Sequence, residues 1–140
     1  MNEKKPAPAF VIDPAPTIKW PVTVSLPADG GEVVEYQFTG VFNRLSETAM
    51  DAILSAGVGA QFIAPEAETP KRMQDILREN AALFPKLLAG WEGVASSAGN
   101  EVEYSAKSLQ EQITGPNGPF LSAGLWRAIS EIRNGARLGN

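Results

Sequence analysis

Ile18, Trp20, Val22, Val24 and Leu26 alternate with Lys19, Thr23 and Ser25, and no other stretch restricts the fold as tightly. Side chains on a strand point to opposite faces in turn, so this spacing predicts one apolar and one polar face. Pro21 falls on the polar phase and has no N–H to give a neighbour, which places the strand at a sheet edge or at its own beginning. The run "PADGGE" follows, with Asp-Gly and Gly-Gly as turn formers. Val34, Tyr36 and Phe38 then alternate with Glu35, Gln37 and Thr39. Two such runs about a glycine turn predict an antiparallel β-hairpin over 18–42. A lone hairpin is marginal in water, so its apolar face needs helices or a third strand against it.

The remainder reads as helices separated by breakers. Ser46 can cap a helix from 47 to about 56 with Gly57 as its stop, burying Met50, Ile53 and Leu54. Thr69 followed by Pro70 signals another start. Met73, Ile76, Leu77, Leu83, Phe84, Leu87 and Leu88 lie near one stripe of that helix, and Pro85 is expected to kink or restart it. Lys71 and Arg72 would then fall in its first turn, where positive charge opposes the helix dipole, which makes them a candidate surface for an acidic partner. Ser105 can cap a short helix ending at Ile113. After "GPNGP", Pro119 can begin a last helix on which Leu125, Trp126, Ile129, Ile132 and Ala136 recur, with Arg127, Glu131 and Arg133 turned elsewhere. Arg133 and Arg137 sit in the last turn, where the dipole favours them. Strands first and helices after predict an α+β fold, an N-terminal hairpin or small sheet packed on four to five helices. Pro6, Pro8, Pro14 and Pro16 make 1–17 an extended arm carrying Phe10 and Ile12, and 18–140 is read as a single domain, mainly helical from 46 onward.

Composition removes much chemistry. The chain has no histidine and no cysteine. The commonest general base, the commonest transition-metal ligands and the disulfide are therefore missing, and no catalytic, cofactor or metal site is expected. Sixteen acidic against twelve basic residues give a formal charge of −4, which argues against a nucleic-acid partner. No apolar run reaches the roughly 20 residues of a membrane span, and "MNEKKPAPAF" is not a secretory signal, so a soluble intracellular protein is expected. "ADGGE" lacks the lysine and hydroxyl of a phosphate loop. A pair of carboxylates could still hydrolyse a glycoside, but scattered acids on a solvated surface explain the same residues.

The most distinctive stretch runs from Leu87. It contains "LLAGWEGV", a polar turn with Gly99, an Asn-x-Val element, Tyr104 followed by Ser105, a helix with Leu109 and a last helix ending "ARLGN". Bottom-up, Gly90 and Gly93 allow a close turn while Trp91 and Tyr104 plug it and Val94 and Val102 flank it. Trp91 is read as core. In this order the residues resemble the phage tail assembly chaperone family over roughly 83–140, with Gly90, Trp91, Gly93, Val94, Gly99, Tyr104, Ser105, Leu109, Ala136, Arg137 and Asn140 as anchors. The chain departs from the family in having Ser96, Ser97 and Ala98 where acids are usual, and in its longer link from Gly115 to Pro119. The resemblance implies a non-enzymatic protein of the host bacterial cytoplasm that binds the tape-measure protein and helps recruit tail-tube protein. It leaves a homo-oligomer open. A minor tail or tail-completion protein is the alternative. Trp126, Ile129 and Arg133 on the last helix are the expected partner contacts, with core packing as the competing role for Trp126 and Ile129.

Overall fold

The computed structural model describes residues 7–55 and 72–135. Strands β1 (Thr17–Ala28) and β2 (Glu32–Asn43) form the hairpin, and a short third strand, β3 (Leu88–Glu92), adds to β2. The sheet is antiparallel in the order β1-β2-β3, so Pro21 does lie on an edge strand. Among the described residues four helices accompany it: α1 (Glu47–Ser55), α2 (Met73–Leu87), α3 (Ala106–Ile113) and α4 (Gly118–Asn134). The fold class is the α+β arrangement expected from the order of the patterns.

The hairpin register follows from its turn. Asp29–Gly31 makes one tight turn in which Gly30 and Gly31 have φ of 83° and 82°. Val22 then pairs with Phe38, Trp20 with Gly40 and Ile18 with Phe42, and Gly40 pairs in turn with Trp91 of β3. Trp20, Gly40 and Trp91 thus form one row across the three strands on the apolar face. The Phe42 ring occupies the space above Gly40, where a Cβ would come within 2.6 Å of it. On the opposite face Lys19 and Glu92 pair at 2.7 Å.

Helices cover the base of that apolar face. The core joins Val22, Val24, Phe42, Leu88 and Trp91 of the sheet to Leu77, Phe84 and Leu87 of α2, Leu109 and Ile113 of α3, and Leu125, Ala128 and Ile129 of α4. Helix α4 crosses β1 at Gly124, where a methyl group would lie 2.5 Å from the Thr23 carbonyl oxygen. Toward the turn the hairpin outruns the helices. Tyr36, expected on the buried face, is 56% exposed, and Val33 is 67% exposed.

Several local expectations change. Pro85 does not restart α2, which is continuous through it and ends two residues later. Proline at 85 forgoes the bond to the Ala81 carbonyl, a loss that the burial of Phe84 and Leu87 in the core outweighs. Leu88 leaves the helical stripe to begin β3, so Gly90 ends no helix but lies in the strand opposite Val41. Arg72 is the N-cap of α2 rather than a first-turn residue, and its side chain makes no cap bond. Glu131 does not face away from the core: it is 4% exposed and accepts a 2.8 Å hydrogen bond from the Trp20 indole N–H. The expected caps are present at Ser46, whose Oγ accepts from Ala49 N–H at 3.1 Å, and at Ser105, which forms a reciprocal box with Ser108. Phe10 and Ile12 are exposed, and 7–16 has neither helix nor strand. Gly57, Thr69, Pro70, Lys71, Ala136, Arg137 and Asn140 fall outside the described residues.

Candidate functional site

Two clusters were legible as sites or motifs, and they lie in different places. The glycine-tryptophan stretch forms a closed plug. Gly93, at φ 84°, reverses the chain after β3, a conformation that costs any other L-residue. Val102 N–H then bonds Val94 C=O at 2.8 Å, with Ala95 bridging Glu101. The Trp91 indole donates to Val102 C=O at 2.7 Å and meets the Tyr104 ring edge-on at 5.1 Å. Tyr104 Oη donates to Leu88 C=O, and burial pushes its phenol above its ordinary pKa. Leu109 is fully buried beneath. Every polar atom named here is paired inside the plug, which leaves it a structural role.

Trp126, Ile129 and Arg133 come together on a different surface. They line a groove of about 1040 Å³ that follows α4 from Pro119 to Asn134. Pro119, Ser122, Ala123, Trp126, Ser130 and Arg133 each lie three or four residues from another of the set, which is one helical face. At a rise of about 1.5 Å per residue the floor is about 22 Å long. Met73, Ile76, Leu77 and Asn80 of α2, at spacings of three and four, make one wall. Glu47 and Leu54 of α1 close the far end, where the Arg133 guanidinium pairs with Glu47 and reaches Asp51 at 4.0 Å.

The three expected contact residues therefore differ in kind. Ile129 is buried and belongs to both core and groove floor. Trp126 is half-buried, its ring 5.0 Å from that of Phe84, with one side left to the groove. Arg133 stands at the rim and is engaged with α1, so it holds the groove's end together before it offers anything to a partner. A solvent-exposed pair of this kind contributes little stability.

Asn80 and Ser122 were not singled out from sequence, though a signal existed. Asn80 sits three residues after Leu77 and four before Phe84, within an apolar stripe. Ser122 likewise falls four before Trp126 and three before Leu125. A polar residue in apolar phase is either paired in the core or set against a site. Among the described residues no acidic cluster is placed to hold a metal ion, and no helix is long and apolar enough to cross a membrane. Comparison with protein-family models, with curated proteins and with solved structures gives no match for this chain.

Proposed function

We propose that this protein is a phage tail assembly chaperone acting in the host bacterial cytoplasm. It would hold the tape-measure protein in a soluble state and release it as tail-tube protein assembles around it. The carrying observation is the long apolar groove beside α4, which contains Trp126 and Ile129. The resemblance over 83–140 supports the same reading independently. A tape-measure chain consists of long helices whose apolar stripes are exposed until the tube encloses them. A groove about four helical turns long, floored by one helix and walled by another, fits one face of such a helix. Binding through one face stays reversible, because ordering and lost rigid-body freedom offset much of the gain from buried area.

Co-expression with a phage tape-measure protein tests the proposal. The expected result is soluble tape-measure protein that co-purifies with this chain. Trp126→Asp should abolish that capture. Because Trp126 also packs on Phe84, Ala123→Glu supplies an exposed change in the same groove, and it should lose capture with an unaltered circular dichroism spectrum. Loss through Trp126→Asp alone, with Ala123→Glu fully active, would assign Trp126 to the core and place the contact elsewhere. A stoichiometric band of this mass in purified virions would replace the chaperone reading with that of a structural tail protein.

A further inference from the structure

The open edge of β2 and the exposed arm at 7–16 match one another. Backbone groups along a strand turn to alternate sides, so a strand bonds each neighbour through every second residue. In β1, Pro21 has no N–H and the Thr23 carbonyl faces Gly124 of α4. Odd-numbered residues of β1 therefore turn outward, and even-numbered ones bond β2. The register sets even against even, Val22 to Phe38 and Val24 to Tyr36, so the odd-numbered residues of β2 turn away from β1. Thr39 and Val41 meet Glu92 and Gly90 of β3, and that strand reaches no further. Val33, Glu35 and Gln37 lie beyond it, and among the described residues nothing bonds their backbone. Val34 and Tyr36 stand on the apolar face of this edge, with Tyr36 exposed. An edge of this kind is a template for another strand.

The arm has the pattern that such an edge needs. Phe10, Val11 and Ile12 are all exposed. Pro8, Pro14 and Pro16 share the even phase with Phe10 and Ile12. An antiparallel register with Phe10 opposite Tyr36 and Ile12 opposite Val34 continues the apolar face. It leaves Ala9, Val11 and Asp13 to bond Gln37, Glu35 and Val33, and each of the three has an N–H to give. The prolines turn their missing donors outward, where they also block a further strand.

The arm cannot reach this edge on its own hairpin. Pro16 C=O accepts from Arg44 N–H at 2.8 Å, which anchors the arm at the base of β2. Val34 lies ten residues from Arg44 along the chain, about 34 Å away at strand rise. Ile12 is four residues from Pro16 and extends about 14 Å at most. We propose that the open edge of β2 is the docking site for the arm of a second copy of this chain, and that two copies exchange arms in a closed dimer. The contact lies across the hairpin from α4 and leaves the groove there open. A single copy leaves the hairpin tip to fray, and the second copy's arm covers it as concentration rises.

The chain has no cysteine, so introduced thiols test the register directly. Full-length protein carrying both Ile12→Cys and Val34→Cys is oxidised over a concentration series and read by non-reducing electrophoresis and intact mass. Opposed residues between the ladder bonds of an antiparallel pair have Cα atoms about 4.5 Å apart, within disulfide range. A disulfide-linked dimer should form and increase with concentration. Val11→Cys with Val34→Cys puts the thiols on opposite faces and should stay unlinked. In sedimentation equilibrium the wild type should form a dimer that dissociates on dilution. Val11→Pro removes one ladder donor from each copy and should weaken that dimer about tenfold or more. Val11 is exposed in the single copy, so the circular dichroism spectrum of this variant should not change. A monomer at every concentration, a disulfide formed within one chain, or a dimer indifferent to Val11→Pro overturns the proposal.

Discussion

Tyr104 shows how much of the fold a single side chain can hold. Its hydroxyl ties the α3 approach to Leu88 C=O, where α2 gives way to β3, and its ring closes over Trp91. Tyr104→Phe keeps the ring and removes the hydrogen bond, so at pH 8 the variant should lose about 0.5–1.5 kcal/mol in urea unfolding. The pH dependence has a definite sign. Burial raises the folded-state pKa above the ordinary tyrosine value, so the folded state holds the phenolic proton more tightly than the unfolded state does. The associated stability is complete below the ordinary value near 10 and is lost as pH rises through the raised one. Wild type should therefore weaken, as pH rises above the ordinary tyrosine value, by more than Tyr104→Phe does. Parallel alkaline profiles for the two proteins would show that the phenol carries no such linkage. Trp20 and Glu131 offer a second residue-scale case. Trp20→Phe takes a donor from a nearly buried carboxylate, and the cost should be about 1.5–3 kcal/mol, measured in the same way.

At the scale of elements, the seating of α4 on β1 turns on Gly124. Helix and strand approach until the Gly124 Cα meets the Thr23 carbonyl, and a backbone oxygen cannot step aside as a side chain can. Gly124→Ala would normally favour a helix interior by up to about 1 kcal/mol, through propensity. Here overpacking should outweigh that and leave a net loss of about 1–3 kcal/mol, seen as a lower urea midpoint. A stabilised variant would mean that α4 does not lie this close to the sheet. Elements were legible where local chemistry decides them. Alternation and "DGG" specified the hairpin, Pro21 its edge position, and Ser46 and Ser105 their caps. β3 was not legible, because "LLAGW" continues an apolar stripe of helical phase and its strand state comes from pairing with β2, a long-range contact. Glu131 was misplaced for a related reason. Its carboxylate is met in the core by the indole of Trp20, 111 residues away, besides Arg127 on its own helix. Within the groove, Trp126, Ile129 and Arg133 could be read from one helix's own period. The wall formed by Met73 and Asn80 could not, since sequence does not say which faces of two helices meet.

For the whole molecule, the decisive asymmetry runs along the hairpin. Its base is held between β3 on one side and α4 on the other, over a core that includes Val22, Phe42 and Leu88. Its far half carries Leu26, Val34 and Tyr36 on the same face with less and less above them. Free energies of opening scale with the apolar contacts that must be broken. The amides of Val41 and Phe42 should therefore exchange only when the whole protein unfolds, whereas those around Val33 and Glu35 should exchange through fraying of the tip. Native-state hydrogen exchange should show about a hundredfold or greater difference between the two sets, and low urea should speed exchange of the first set without altering the second. Equal protection along both strands would mean that something covers Val33 and Tyr36. If that protection rose with protein concentration, the cover would be a second copy of this chain, and the hairpin tip rather than the α4 groove would be its contact.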